Sequence, residues 1–132
     1  MKKIEVVAAV IVDNNKYMCV QRGMNSKNYL SEKWEFPGGK IEDKENHTEA
    51  LVREIQEELN MQIEPVNHLI TVDHTYPDFQ LIMHAYLSKI IDGEPKLTEH
   101  LDLKWLPADQ LSNLDWAAAD VPIVEKIKET NE

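Results

Sequence analysis

The segment Gly39-Lys40-Ile41-Glu42-Asp43-Lys44-Glu45-Asn46-His47-Thr48-Glu49-Ala50-Leu51-Val52-Arg53-Glu54-Ile55-Gln56-Glu57-Glu58-Leu59-Asn60-Met61 carries more structural information than any other in the chain. From Asn46 its apolar residues recur at helical spacing, with Leu51, Ile55 and Leu59 forming one stripe. Asn46 suits the N-cap, Glu49 three residues on completes a capping box, and Asn60 suits a left-handed C-terminal residue. A helix over 46–59 therefore gathers Glu54, Glu57 and Glu58, at i, i+3 and i+4, within an arc of roughly 100° beside the apolar stripe. Like charges at this spacing destabilise an isolated helix by a few tenths of a kcal/mol per pair, and only Arg53 is near enough to offset them. Two readings follow. Either this is a solvated acidic face, or the carboxylates hold a hard divalent cation such as Mg2+, which takes a few carboxylate oxygens together with waters and substrate phosphates. In the second reading Arg53 pairs with Glu57 and fixes its rotamer.

Outward from this helix the period changes. Ile4 to Val12 is nearly continuous apolar, Asp13-Asn14-Asn15 is a turn, and Lys16 to Gln21 resumes the pattern, so a hairpin is expected. Arg22 to Lys33 is irregular and leads to Trp34-Glu35-Phe36 and then to Pro37-Gly38-Gly39, a turn whose glycines permit positive φ. Further strands are expected over 62–73, 79–90 and 101–106, and a second helix over 118–129. Strands interleaved with two helices suggest a sheet covered on both faces, an α/β sandwich, in one domain over 1–132.

Composition narrows the partners. Lys and Arg number 14 against 24 Asp and Glu, a net charge of −10 that repels a nucleic-acid backbone or an anionic membrane. Small phosphorylated anions remain compatible if metal ions bridge them to the carboxylates. The single cysteine, Cys19, lies in an apolar run and reads as a buried strand thiol. A charge interrupts the N-terminus too soon for a signal peptide and no apolar run reaches membrane-spanning length, so the expected location is cytoplasmic. His47, His68, His74, His84 and His100 show no zinc spacing and read as ordinary residues.

Taken together, Gly39, Glu45, Arg53-Glu54-Ile55, Glu57-Glu58 and the apolar Met61 resemble the Nudix box, GX5EX7REUXEEXGU with U an aliphatic residue. Asn60 stands where the box has its second glycine, and Asn is the next-best residue for a left-handed helix end. Gln21-Arg22, Trp34 to Glu42, Glu99-His100 with Trp105, and Ala119-Asp120-Val121-Pro122 extend the likeness to the MutT-like branch, with similarity to bacterial CTP pyrophosphohydrolases and to relatives acting on 8-oxo-dGTP.

The resemblance implies an α/β/α sandwich with a mixed sheet between helices. It also implies an enzyme that cleaves a nucleoside triphosphate to the monophosphate and pyrophosphate with Mg2+, or Mn2+ in its place. By the same resemblance Glu54, Glu57 and Glu58, with the backbone of Gly38, hold metal, while Gly39 and Glu45 support the loop–helix geometry. Glu54 and Glu99 are the candidates for the base, with Arg53 beside them; Arg22 and Lys40 are candidates for phosphate. Phe36 and Asp120 fall in the base pocket, with Tyr76, Phe79 and Trp116 as further candidate walls. Asp120 has a second reading as the cap of the last helix. An ionised Asp120 accepts protons only, which suits the N4 amino group of cytosine or the paired N–H donors of guanine. CTP, dCTP or a modified cytosine nucleotide is the first expectation and 8-oxo-dGTP the second; a non-catalytic nucleotide-sensing module is the rival from another class. A monomer or homodimer fits the sequence equally.

Overall fold

The computed structural model describes residues 1–131. Strands β1 (Lys2–Asp13) and β2 (Lys16–Arg22) are joined by Asn14 and Asn15 at φ 50° and 62°, the left-handed pair that a tight hairpin turn requires. They pair only at their tips, Val12 with Tyr17 and Asp13 with Lys16, and then part. Beyond the tips β1 runs parallel to β6 (Phe79–Asp92) from Lys2↔Phe79 to Ile11↔Ser88, and β6 carries the antiparallel edge strand β5 (Gln62–Thr75). Strand β2 pairs with β7 (His100–Leu106) and with the two-residue β3 (Trp34–Glu35). The short β4 (Gly38–Lys40) fills the other flank of β1. Pro65 and three register shifts lie along β5, where an edge strand tolerates a missing donor and irregular pairing.

Alternation along β1 sends Val7, Ala9 and Ile11 to one face and Ala8 and Val10 to the other, all but inaccessible to solvent. The first face packs under helix α1 (His47–Leu59) through Leu51, Ile55 and Leu59; the second packs under helix α2 (Val121–Thr130) through Ile123, Val124 and Ile127. Burial on both faces explains why this strand reads as a continuous apolar run. The result is the expected α/β/α sandwich around a mixed sheet. Cys19 is buried in it, and burial pushes its thiol up to about 12.

Helix α1 has the expected capping box at Asn46 and Glu49, and Asn60 sits at φ 55°, ψ 42°. The final carbonyls of α1 are satisfied from the chain that follows β6: Thr98 Oγ1 donates to the Glu58 carbonyl and the Lys96 N–H to that of Leu59, both at 2.9 Å. Asn60→Ala should cost roughly 1–2 kcal/mol, the left-handed penalty of a Cβ without a local polar group, whereas Asn60→Gly should be close to neutral. Urea midpoints of the two variants check this.

Three details differ from expectation. Gly38 and Gly39 do not adopt positive φ; the chain there passes from the β2 partner β3 to the β1 partner β4. Residues 118–120 form a 3-10 turn and the α-helix begins at Val121, with Pro122 in its first turn. An unexpected second 3-10 segment spans Ala108–Asn113.

Candidate active site

Close approach, not turn geometry, explains the two glycines. A Cβ on Gly38 would collide with the carbonyl of Val7 on β1, and one on Gly39 would overlap the Glu54 carboxylate. Strand β4 thus lets the helix lay a carboxylate directly on the sheet backbone. Gly39→Ala should displace Glu54 by about a methyl radius and cut kcat on the order of 100-fold, with a far smaller change in melting temperature. A rate near wild type would remove Glu54 from the machinery.

Arg53 gathers the surrounding acids. Its Nε and Nη2 donate to Glu45 Oε2 and Oε1 at 2.7 and 2.9 Å, a bidentate pair, while Nη1 donates to Glu54 Oε1 at 2.9 Å and Glu57 Oε2 at 3.2 Å. Nη2 also donates to the Lys40 carbonyl at 3.0 Å. The Arg53 hydrogen bond, aided by the Glu42 N–H, holds the Glu45 carboxyl below its usual range. Arg53 therefore orients Glu54 and Glu57 and ties the loop to the helix, the work of a positioning residue.

Glu58 is held in an unfavourable setting for a charged carboxylate. Burial, then the charges of Glu54, Glu35 and Glu99, push its carboxyl up to about 8, against the opposing Gly38 N–H bond. Its buried Oε2 has no hydrogen-bond partner. Burial also raises Glu54, which Arg53 only partly offsets. An orphaned, buried hard oxygen among converging carboxylates is what a divalent cation would satisfy, so the donor set fits Mg2+ or Mn2+.

Beside this cluster opens a cavity of about 340 Å³, whose walls include Arg22, Glu35, Phe36, Gly38, Tyr76 and Asp120. Arg22 Nη1 donates to Glu35 Oε1 at 3.0 Å, and His100 Nε2 lies 3.2 Å from Glu35 Oε2. Asp120 is buried, and its Oδ1 accepts from the Phe36 N–H at 3.1 Å. It makes no side-chain cap to α2, so the capping alternative does not hold. Burial, then the charge of Glu35, raises its carboxyl well above the usual aspartate range.

The structure thus brings together Arg22, Phe36, Gly38, Gly39 and Asp120 around one cavity, with Glu54 and Glu58 next to it and Glu99 within electrostatic reach. Lys40 is not brought in: its side chain is exposed, away from the cavity walls, and only its carbonyl is engaged, by Arg53. Tyr76 and Phe79 line the cavity as anticipated, but Trp116 does not. Its ring stacks on Phe36 at 4.7 Å and its indole N–H donates to Leu111, a core arrangement. Glu35, His100 and Lys27 were not among the expected site residues. Glu35 had a visible signal, as a carboxylate between two aromatic residues just before the Pro-Gly-Gly turn, whereas His100 becomes relevant only once β7 pairs with β2.

A NUDIX domain model matches residues 6–126. The chain is 37% identical over 99 residues to the 8-oxo-dGTP diphosphatase of Proteus vulgaris, covering 74% of this chain and 85% of that protein. It is 33% identical over 125 residues to the CTP pyrophosphohydrolase of Escherichia coli (strain K12), covering 95% and 91%. The solution structure of the E. coli ORF135 protein superposes with a TM-score of 0.84 at 32% identity, covering 99% of this chain and 92% of that one.

Proposed function

Because the chain belongs to the NUDIX domain family, and is accordingly a Nudix hydrolase, we propose that it is an Mg2+-dependent enzyme splitting a nucleoside triphosphate into the monophosphate and pyrophosphate. Its first substrate class is CTP, dCTP or a modified cytosine nucleotide, and 8-oxo-dGTP is the second. The observation that carries the reaction is the unpartnered oxygen of Glu58 beside Glu54 at the edge of the cavity. Glu54, Glu57, Glu58 and the backbone of Gly38 would hold Mg2+, or Mn2+ in its place, which would supply positive charge to offset that of the polyphosphate.

The chain's own residues do the rest. Arg22, steadied by Glu35, directs a guanidinium at phosphate oxygens. Glu54 or Glu99 accepts the proton of the attacking water. Glu45 acts through Arg53 to hold the helix carboxylates in register with the Gly38-Gly39 strand.

Asp120 supports cytosine. A raised pKa favours its protonated form, and a carboxylic acid offers a donor to cytosine N3 and an acceptor to the N4 amino group, removing the clash between two acceptors. The 8-oxo-dGTP reading draws on the names of other relatives and on the alternative, ionised Asp120 facing guanine donors. We place the enzyme in the cytoplasm as one domain over 1–132, a monomer or homodimer, with no nucleic-acid polymer or membrane as partner. Among the described residues no helix is long and apolar enough to cross a membrane.

A nucleotide panel assayed for pyrophosphate against orthophosphate release tests the proposal. Pyrophosphate from CTP or dCTP at the highest kcat/KM is expected; highest turnover of 8-oxo-dGTP would promote the second reading. Nucleotide binding with no turnover under any divalent ion would mean a sensing module.

A further inference from the structure

Away from the cleft, three residues distant in sequence converge where β1, β6 and the first turn of α1 meet. Glu5 on β1, His47 at the start of α1 and His84 on β6 each offer one ligand atom, and these atoms all lie within 4.8 Å of one another. His84 Nε2 is 2.6 Å from Glu5 Oε2, and the His47 and His84 rings stack with centroids 4.1 Å apart. We propose that Glu5, His47 and His84 form a second metal site, for a zinc-like transition-metal ion, independent of the carboxylate site and of the nucleotide reaction.

The ligand chemistry differs from that of the cleft. Two imidazoles and one carboxylate are the donors that zinc takes in three-ligand sites, with the fourth position left to water, whereas Mg2+ prefers oxygen alone. The surroundings resemble the outer shell of such sites, in which the second nitrogen of each ligating histidine is held by a hydrogen-bond partner. Tyr86 Oη lies 2.9 Å from His47 Nδ1, which orients that ring and leaves Nε2 as its ligand atom. Thr71 Oγ1 lies 3.0 Å from His84 Nδ1 and 2.7 Å from His68 Nε2. Without metal, His84 Nε2–H donates to Glu5 Oε2; once that proton leaves to solvent, Nδ1–H donating to Thr71 and Thr71 donating to His68 would free the Nε2 lone pair for the ion. The Glu5–His84 contact is a hydrogen bond, and ligands on a tetrahedral zinc lie about 3.3 Å apart. Metal entry therefore displaces the proton between them and moves the exposed Glu5 carboxylate outward by a fraction of an ångström, which its half-exposed side chain permits.

Linear spacing could not reveal this group, since its members lie on three separate elements; parallel pairing of β1 with β6, which sets Glu5 opposite Ile82 and Val7 opposite His84, assembles it. A bound ion would pin the start of α1 to the sheet.

Zinc titration in excess Mg2+, which saturates the hard carboxylate site, tests the proposal. One equivalent should bind, shifting the ring nitrogen signals of His47 and His84 by NMR and leaving those of His74 and His100 in place. At 100 times Kd the melting temperature should rise by roughly 5–10 °C. His84→Gln and His47→Gln should each abolish this shift, Tyr86→Phe should weaken binding roughly tenfold, and all three should retain Mg2+-dependent turnover. Zinc that leaves both ring signals unmoved, or that Mg2+ displaces stoichiometrically, would overturn the site. The NMR readout on wild-type protein decides the matter even if a variant fails to fold.

Discussion

Glu58→Gln is expected to lower kcat by at least about three orders of magnitude while raising the stability of the metal-free protein. The two effects share one cause. Glu58 is a carboxylate forced into a buried place beside Glu54, Glu35 and Glu99, with one oxygen lacking any partner. Folding without metal therefore raises its pKa from about 4.5 to about 8. A group whose folded pKa exceeds its unfolded value binds more protons in the native state, so stability falls as pH rises between those two values. In chelator, the wild-type protein should lose on the order of 2–4 kcal/mol between pH 4.5 and 8 through this group. The glutamine variant, nearly isosteric and uncharged, should show a flatter profile and exceed wild type at pH 8 but not at pH 4.5. Added Mg2+ should reverse the ranking, stabilising wild type far more than the variant. Denaturant midpoints at the two pH values, with and without Mg2+, together with steady-state rates, check each part. An unchanged rate with unchanged pH dependence would remove Glu58 from the metal-holding set. Full turnover in excess EDTA would remove the metal from the reaction.

How far the sequence reached depended on whether a feature is local. The capping box at Asn46 and Glu49, the left-handed Asn60 and the apolar stripe of α1 are all set within a few residues, and the structure has each of them. The β1–β2 hairpin and the long β5 and β6 strands were legible for the same reason: apolar runs and the turn residues that bound them are short-range signals. The glycines show where such reasoning stops. Gly38 and Gly39 looked like turn residues needing positive φ, but the constraint on them comes from Val7 and Glu54, which only the folded sheet brings near. Lys40 was close to the box in sequence, yet its side chain is exposed at the end of β4 and is not among the cavity walls, a placement that sequence proximity alone does not fix. Glu35 and His100 join the site through the pairing of β3 and β7 with β2, a contact between segments some 65 residues apart. The histidine cluster of Glu5, His47 and His84 depends likewise on a parallel strand pair, for which no adjacent sequence signal exists.

Asp120→Ala should raise KM for the preferred nucleotide far more than it lowers kcat, because a contact with the base is made equally in ground and transition states. Loss of one base-reading residue is worth roughly 1–3 kcal/mol, so the ratio of preferred to poor substrates should fall about 5- to 150-fold. The alanine variant carries a second cost. Asp120 Oδ1 is the acceptor for the Phe36 N–H, and leaving that donor buried and unpaired should destabilise the fold by roughly 1–3 kcal/mol. Asp120→Asn separates the two effects, since an amide oxygen keeps the bond to Phe36 and the NH2 group faces the cavity. Because the aspartate carboxyl is raised by burial and by Glu35, its ionisation costs stability as pH rises, and the asparagine variant should be the more stable of the two at pH 8. On the substrate side the amide donates where a protonated carboxyl donates. If cytosine is read through N3 and the N4 amino group, Asp120→Asn should preserve much of the CTP activity and lose its dependence on the protonation of this residue. If the paired donors of guanine are read, the NH2 group should repel them and 8-oxo-dGTP turnover should collapse. Steady-state kinetics of both variants on CTP and 8-oxo-dGTP, across pH 6 to 9, distinguish these outcomes; an unaltered substrate ratio in both would leave Asp120 only the role of holding Phe36, with the base read by other cavity residues.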